Sequence, residues 1–531
     1  MQSERRVNAS LALIGTASAG LYALLALRYP LALSLANPRA SWVDLTAATW
    51  VSFAYHTAIY FGLTVLYILA LRLLTSTPDA TRRSSSASGR TRLLIIVLTW
   101  LVCCGILLTV ASSGESHDIF DYIFRGRMMT ELGANPLTDV PTQYRNAPYF
   151  HYLAWHDHVD AYGPVWEMTS AVTATSAREV LKAVGLWATS NPSCPQSPLS
   201  CHSLIGYVTA YRLVAVGLSG LSGWLILSLV QRSRPHLAAA ALAAWLWSPL
   251  LLVSTAIGAH NDAGMIVLLL LMLWLLQRRR WFPALLVLVL AAHVKLTVLI
   301  VTPVVGLWLV RRCGWRCAIG LGAAAAAVGV LLSWLLYAPF DGWGSLPRLL
   351  TERAAFLANS PWRVVYLFLN IQRGWPVEMV RRLTVQLPTA LFGAGAVLVS
   401  LWMLDFRPGR WKVAPAPNWR DDRLLWRTVA LVTLLYLVVG SFWFQHWYVV
   451  WVLAPAALLP DARLTRWLLP WLGFGALSAN LVSAFAPALA PGPLAKIALA
   501  ALIVAVIWTP MLIAGGLLLG RWRATGHRGI E

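Results

Sequence analysis

A cluster of charged side chains directly follows an apolar stretch of twenty residues, 93–112. This cluster, SHDIFDYIFRGR, carries Asp118, Asp121, Arg125 and Arg127, and its two carboxylates are three residues apart, so on a helix they would share a face. A carboxylate can deprotonate a hydroxyl, and nearby cations can stabilise a phosphate leaving group in an apolar site. These residue types therefore suit the transfer of a group from a lipid phosphate to a hydroxyl.

The composition indicates a membrane protein. Of 531 residues, 58% are hydrophobic and 12% are charged, whereas soluble domains carry roughly 25% charged residues. Apolar runs recur along the chain, so we expect an all-α polytopic membrane protein with about 12–14 transmembrane helices. The predicted organisation is 1–112 as N-terminal transmembrane helices, 113–203 as an extracytoplasmic catalytic loop with a surface helix over 165–186, 204–337 as central transmembrane helices and short hairpins, 338–386 as a second extracytoplasmic loop, and 387–531 as C-terminal transmembrane helices.

The net charge of +21 is explained by topology, and we expect no nucleic-acid partner. Lys and Arg concentrate in the cytoplasmic loops of membrane proteins, and the short basic loops of this chain agree on one side. Segment 113–203 holds five Lys/Arg against nine Asp/Glu, so we expect it on the opposite, outer side, with both termini inside. Residues 5–27 resemble a signal peptide but continue apolar beyond its usual length, which favours an uncleaved first helix over cleavage.

Three predicted hairpins carry polar tips toward the outer side. Basic residues flank each apolar stretch at both ends, so each stretch must cross the membrane an even number of times. This parity places GAHNDAG (258–264), HVK (293–295) and FQHWY (444–448) at outer turns. Each hairpin half is shorter than the ~20 residues of a full span. Polar groups at such a depth are costly and usually line a functional cavity.

The sequence thus predicts one pocket that gathers residues distant in the chain. The candidates are Asp118 and Asp121 as catalytic carboxylates, Lys295, Arg125, Arg127 and His446 as ligands of a donor phosphate, and Tyr122, Tyr162, His260, Asn261, Asp262, Trp447 and Tyr448 as substrate contacts. Simpler roles stay open for several of them. Asp118 can cap a helix, Lys295 can extend to the headgroups, and Trp447 can anchor the interface.

The stretch HYLAWHDH raises the question of a metal site. It contains His151, His156, Asp157 and His158, which are possible ligands of a divalent ion. The chain has no CxxC or HExxH frame, so we predict no metal and no other cofactor, although a divalent metal stays possible.

Two cysteines, in the stretch CPQSPLSC, fall in the predicted outer loop. Oxidation is permitted outside the cytoplasm, so we expect a disulfide between Cys194 and Cys201, with two free thiols as the alternative.

Four stretches together carry a family resemblance. HDIFDYIFRGRMMTELGANPL, YGPVWE, HNDAGMI and FQHWYVVW resemble the bacterial GT-C polyprenol-phosphate-mannose-dependent mannosyltransferases of the α-1,6 kind, in order across roughly 115–451. The resemblance places Asp118 at the position of the family's general base. Two departures are Leu137, where the family usually has an aromatic residue, and Asp121, a second carboxylate that leaves the base assignment open.

This resemblance implies a GT-C bundle in a bacterial plasma membrane, with its active site at the extracytoplasmic face. It also implies inverting transfer of a sugar, mannose above all, from a polyprenyl phosphate to a glycolipid or glycan acceptor within the membrane lipids. A β-linked donor would then give an α-mannoside. Two alternatives stay open, namely a lipid or glycan flippase without chemistry and a GT-C enzyme that transfers a different sugar.

Overall fold

The computed structural model of the protein describes residues 2–36, 41–46, 49–76, 87–112, 114–187, 202–346, 356–404, 419–485 and 493–524. Within these ranges nearly all regular structure is helical. Extended pairing is limited there to isolated bridges between Pro30 and Val110 and between Ala358 and Trp443. The prediction of an all-α polytopic membrane protein is confirmed.

The described chain contains ten helical stretches long and apolar enough to cross a membrane. They are Glu4–Arg28, Trp50–Thr75, Gly89–Leu107, Ser203–Ser233, Leu296–Cys313, Trp315–Phe340, Val377–Met403, Asp422–Gly440, Leu464–Phe485 and Lys496–Leu519. A pair bent by 49°, Pro235–Leu246 with Pro249–Ile257, adds one broken span.

Short helices account for the difference from the predicted count. Asp262–Gln277 has 16 residues and Trp281–Ala292 has 12, which at 1.5 Å per residue fall below the bilayer's ~30 Å hydrocarbon thickness. After the FQHWY tip the chain forms only a 3₁₀ turn, His446–Val449, and an eight-residue helix, Val450–Ala457. The expectation that every hairpin half is short is therefore correct for these helices but wrong for Leu296–Cys313 and Asp422–Gly440, which are long enough to span.

The remaining elements shape the two loop regions. The loop helices are Asp118–Glu131, Pro164–Ala183 and Pro361–Leu367, with 3₁₀ turns at Pro141–Tyr144, Phe150–Tyr152 and Gly342–Ser345. Two further short helices, Leu31–Ala36 and Trp42–Thr46, lie between the first two spans. Helix Pro164–Ala183 corresponds to the predicted surface helix. Its buried face includes Trp166, Ser170 and Leu181, at helical spacing, while Val172 and Val180 are exposed.

Two irregular turns interrupt the bundle next to the hairpin tips. Val253–Ile257 and Tyr436–Gly440 are π-helical, with i→i+5 hydrogen bonds, and each ends shortly before a polar tip. Single π turns are frequent at functional sites because they redirect the chain without ending the helix. Here they separate the apolar bundle from the segments that carry the candidate site residues.

A buried arginine fastens the start of the long loop to the bundle. Arg212 is fully buried and donates hydrogen bonds to the carbonyls of Ile257, Leu108 and Val110 and to the hydroxyl of Ser112 at 2.6–3.0 Å. A guanidinium can serve several acceptors at once because its donors lie in a fixed plane. Arg212 thereby sets the segment before Asp118 against the end of the bent pair.

Replacing this arginine by methionine is expected to destabilise the protein by about 3–5 kcal/mol, because buried acceptors lose a charged donor. The stability of Arg212→Lys should lie between those of Arg212→Met and the unchanged protein, since an ammonium cannot reach all four acceptors in the same geometry. Thermal unfolding of the purified variants in detergent measures the order. If Arg212→Met melts at the same temperature as the unchanged protein, the hydrogen bonds of Arg212 do not stabilise the fold as proposed.

The two ends of the bundle differ in charge. At one end, Arg234 pairs with Asp461 at 2.8 Å, and Gln277 donates to Asp422 at 3.1 Å. Asp262, at the opposite end of the helix that finishes at Gln277, is about 22 Å away along the axis at 1.5 Å per residue. The polar hairpin tip and the basic loops therefore lie at opposite ends of the bundle.

Candidate active site

A cavity of about 190 Å³ lies where the long loop meets the hairpin tips. Its walls combine helix Asp118–Glu131, loop 155–162, the HVK turn and the segment 442–451. The candidate residues predicted from the sequence that line it are Asp118, Asp121, Tyr122, Arg125, Tyr162, Lys295, Trp447 and Tyr448. The structure thus brings residues separated by more than 300 positions into one cavity.

Asp118 begins its helix at the cavity wall. Its backbone N–H donates to the hydroxyl of Ser116 at 3.1 Å, and the indole N–H of Trp155 donates to its Oδ1 at 3.4 Å. Its Oδ2 lies 3.6 Å from Nδ1 of His260, an ion-pair distance. Burial raises the pKa of Asp118, and the charges of His260 and Lys295 oppose that rise. A carboxylate in this setting binds a proton more readily than one in water.

Asp121 is tied to the neighbouring loop. Its two oxygens accept hydrogen bonds from the backbone N–H groups of Ala154 and Trp155, both at 3.3 Å. Burial raises the pKa of Asp121 to about 7, with Arg125 opposing and Asp118 adding to the rise. Asp121 therefore anchors the loop that carries Trp155 across the cavity.

Lys295 is buried at the cavity floor. Its Nζ lies 2.8 Å from Oδ1 of Asp262, which also accepts from the indole N–H of Trp451 at 2.5 Å. The same ammonium lies 4.8 Å from the ring centre of Tyr448 and 5.4 Å from that of Tyr162. Lys295 is 3% exposed, so its side chain turns inward and does not extend toward the headgroups.

A glycine brings the YGP segment onto the HVK turn. The backbone N–H of Gly163 donates to the carbonyl of Val294 at 3.2 Å, and that of Val165 donates to the carbonyl of His293 at 3.1 Å. A Cβ at position 163 would overlap the His293 carbonyl, so only glycine permits this approach. The pairing places Tyr162 beside the lysine of the turn.

The two arginines predicted to bind phosphate point in different directions, and only one of them lines the cavity. Arg125 lines the cavity, donates to the carbonyl of His158 at 2.9 Å and lies 3.5 Å from Asp160. Arg127 does not line it. Its guanidinium pairs with Glu131 at 2.7 Å and donates to the carbonyl of Pro148 at 2.8 Å. Arg125 therefore stays a candidate for a phosphate contact, whereas Arg127 is directed away from the cavity.

The histidines of two tips converge on Glu115, a residue that the sequence reasoning missed. Nε2 of His446 lies 2.5 Å from Oε1 of Glu115, and Nε2 of His260 lies 3.2 Å from Oε2. His446 thus contacts a carboxylate behind the cavity and does not line the cavity wall. The usable signal was a lone acid in GESHD between an apolar span and the first candidate base.

The HND turn holds its side chains in a strained, buried backbone. Ala259 has φ of 52°, in the left-handed region that a residue with a Cβ seldom adopts. His260 stacks on Trp447 with ring centres 3.6 Å apart. The amide of Asn261 is fully buried, and neither of its polar atoms has a hydrogen-bond partner among the described residues. Such strain and unsatisfied polarity are typical of functional sites.

An aromatic wall, also missed from the sequence, closes one side of the cavity. The rings of Trp155, Phe356 and Trp443 have centres 5.2–5.8 Å apart. The segment carrying Phe356 is held in place because the backbone N–H of Phe444 donates to the carbonyl of Ala358 at 2.9 Å. The second loop region thereby contributes directly to the site.

The histidines of HYLAWHDH do not assemble. His156 pairs with Asp157 at 2.9 Å, whereas His158 lines the cavity beside Phe356. Across the described ranges, no three His, Cys, Asp or Glu side chains are grouped to hold a metal ion. The predicted disulfide partners, Cys194 and Cys201, lie outside the described residues.

A comparison with protein families finds a similarity over part of the chain. Residues 196–311 match the family described as alpha-(1->6)-mannopyranosyltransferase, N-terminal domain. The chain is similar to the α-(1→6)-mannosyltransferases. No curated protein matches it. The match confirms the resemblance that the motifs indicated, and it supports glycosyl transfer, of mannose in general.

The stretch matched to the mannosyltransferase family covers only part of the cavity. It includes the HND turn and Lys295, but it begins after Asp118 and Asp121. The roles of these two carboxylates therefore depend on their geometry. That geometry sets both at the wall of the cavity whose floor is Lys295.

Proposed function

We propose that this protein is an inverting GT-C glycosyltransferase that moves mannose from a polyprenyl phosphate to an acceptor hydroxyl. The observation that carries the proposal is the shared cavity of Asp118 and Lys295, a buried carboxylate facing a buried cation. A base and a phosphate ligand are the two groups that such a transfer requires. The family match supports the choice of mannose.

The reaction would proceed as one displacement at the anomeric carbon. The acceptor oxygen forms its bond to that carbon while Asp118 takes the hydroxyl proton. The bond from the anomeric carbon to the phosphate oxygen breaks, and its electron pair stays on the phosphate. Lys295, with Arg125 nearby, would stabilise the added negative charge where burial strengthens the interaction. Attack opposite the leaving group inverts the configuration, so a β-linked donor gives an α-mannoside.

Asp118 suits the base better than Asp121 for two reasons. Asp121 is 4% exposed and both its oxygens accept backbone hydrogen bonds, whereas Asp118 is 9% exposed with one oxygen bonded to an indole. Moreover, the HND histidine lies beside Asp118 and favours its ionised form, the form that accepts a proton.

We place the active site at the extracytoplasmic face of the plasma membrane of a bacterium, where a glycolipid or glycan would be the acceptor. The basic loop ends around Arg234 lie at the end of the bundle opposite the cavity. Basic loops usually face the cytoplasm. This placement is compatible with the proposed polyprenyl-phosphate donor, because a transfer from that donor needs no nucleotide sugar at the extracytoplasmic face.

Purified protein is expected to transfer radiolabelled mannose from polyprenyl-phosphate-mannose to an α-mannosyl glycolipid, because the cavity binds a lipid-linked phosphate. Sensitivity of the product to α-mannosidase reports the configuration. GDP-mannose as sole donor and polyprenyl-phosphate-glucose serve as controls. Efficient transfer from GDP-mannose, or a β-linked product from a β-linked donor, would refute the proposal.

A further inference from the structure

The carboxylate of Glu115 lies behind the cavity, three residues before the candidate base. It is 4% exposed and does not line the cavity. The backbone on either side is fixed, since Glu115 N–H donates to the carbonyl of Ser112 at 3.0 Å and the amide of Asn480 donates to the Glu115 carbonyl at 3.3 Å. An ionised side chain at such a depth needs partners.

Its partners are two imidazoles from different hairpin tips. Oε1 lies 2.5 Å from Nε2 of His446, and Oε2 lies 3.2 Å from Nε2 of His260. Burial alone would raise the pKa of Glu115, but the two histidines outweigh that effect and lower it to about 2. Glu115 is therefore an anion throughout the neutral pH range.

His260 has a carboxylate at each of its ring nitrogens. Nε2 faces Glu115 at 3.2 Å, and Nδ1 faces Oδ2 of Asp118 at 3.6 Å. A neutral imidazole carries one N–H, so it would present a lone pair to one of the two carboxylates. Only the imidazolium is attracted to both, through a hydrogen bond to Glu115 and an ion pair with Asp118 that is too long for a hydrogen bond. Stacking on Trp447 and a backbone hydrogen bond to the carbonyl of Ser254 fix the ring in this orientation.

We infer that Glu115 is a positioning residue that holds His260 as an imidazolium against Asp118 and so keeps the base ionised. The inference rests on the proposed function, because it assumes that Asp118 accepts the acceptor proton. Glu115 touches no substrate; it acts through the histidine. His446 contacts Oε1 of Glu115 and so holds the carboxylate with its other oxygen, Oε2, toward His260.

Several other charges act on the same pair. The charged and titratable groups near Asp118 or His260, besides each other and Glu115, are Lys295, Asp121, Tyr122, Tyr162, Asp262 and His446, whose ring is perpendicular to that of His260 with centres 6.4 Å apart. Of the charges that act on His260, that of Glu115 is the largest that favours the imidazolium. Removal of the Glu115 charge is therefore the change that most directly returns His260 to its neutral form.

The test is the pH profile of transfer by Glu115→Gln. Without its anion His260 becomes neutral and no longer lowers the pKa of Asp118. This loss outweighs the smaller direct effect of Glu115, whose charge raises the pKa of Asp118, so less of Asp118 is ionised at a given pH. The acid limb of kcat should move up by about one unit or more, since an opposite charge at this distance shifts a pKa by about that much. On the acid limb transfer should fall about ten-fold at a given pH, it should recover at higher pH, and KM for the donor should change little.

Matched variants separate the possible outcomes. Glu115→Asp should restore part of the profile, and Asp461→Asn, which removes a carboxylate at the opposite end of the bundle, should leave it unchanged. If Glu115→Gln does not fold, His260→Gln removes the cation directly and should give the same alkaline shift. A uniform loss of kcat at all pH values, or an unmoved limb in a folded variant, would overturn the inference. Transfer that survives Asp118→Asn would instead overturn the proposed function.

Discussion

Replacing Asp118 by asparagine is expected to lower the rate of mannosyl transfer by about 10²–10⁴-fold, the usual contribution of a general base. The amide has the same shape as the carboxylate but cannot take the acceptor proton. Its carbonyl can still accept the hydrogen bond from Trp155, so the cavity should keep its form. The loss should therefore fall on kcat, with donor binding little changed, as measured by initial rates over a range of donor concentrations.

Asp121→Asn is the matched control, since it removes a carboxylate one turn away on the same helix. The asparagine keeps one oxygen but places an NH2 group where the other oxygen accepted, so one of the backbone N–H groups of Ala154 and Trp155 loses its acceptor. This should loosen the loop and cost less activity than loss of the base. A severe loss with Asp121→Asn together with a mild one with Asp118→Asn would reverse the assignment. Two mild losses would remove both carboxylates from the proton transfer.

Because Asp118 is buried, Asp118→Asn is expected to keep or raise the stability of the protein although it lowers the rate of transfer. Because the folded protein raises the pKa of Asp118, the ionised form is less favourable in the folded state than in the unfolded chain. This carboxylate therefore costs stability increasingly as pH rises above its unfolded value of about 3.9. A neutral asparagine removes that cost, so Asp118→Asn should be inactive without being destabilised. Lower stability in exchange for activity is common at sites where catalysis requires a buried charge.

The features that could be predicted from the sequence are those set by periodicity and parity. Basic residues at 278–280 and 311–312 required an even number of crossings between them. The structure has the short helix Trp281–Ala292 followed by the span Leu296–Cys313, with Lys295 at the turn that joins them. The convergence of this turn with the long loop followed from the same reasoning, since both were assigned to one side.

Side-chain direction was harder to predict. Arg125 and Arg127 were grouped as phosphate ligands, but residues two apart on a helix point about 200° from one another, at 100° per residue. Both therefore cannot face one cavity, and the structure turns Arg127 toward Glu131. A helix over this segment could be predicted from the sequence. The angle between residues two apart on a helix would then have excluded one of the two arginines as a phosphate ligand.

Pairings between distant residues lay beyond sequence reasoning. The contact between Glu115 and His446 joins positions 331 apart, and no local pattern specifies which polar tip meets which acid. The sole local clue to Arg212 was a charge inside an apolar span, which marks a buried or functional residue without naming its partners. The partners follow only once the bent pair and the start of the long loop are packed together.

Replacing Lys295 by methionine is expected to lower transfer by about 10²–10³-fold, the usual loss when one preorganised donor to a developing anion is removed. The methionine fills similar volume but cannot stabilise the phosphate as its bond to the sugar breaks. Lys295→Arg should retain part of the activity, since it keeps the charge but places it differently between the rings of Tyr448 and Tyr162. Rates with polyprenyl-phosphate-mannose and the melting temperature of each variant are the measurements.

A second effect of the methionine must be separated from the loss of the phosphate contact, because Lys295 also neutralises a buried acid. Its removal leaves Asp262 with only the indole of Trp451 as a partner among its described hydrogen bonds, and an uncompensated buried charge is strongly destabilising. Lys295→Met combined with Asp262→Asn removes that charge, so the double variant should regain thermal stability. If the cation acts on the donor phosphate, the double variant stays inactive despite its restored fold. If transfer recovers along with stability, the lysine serves only to neutralise Asp262, and the phosphate must be bound elsewhere in the cavity.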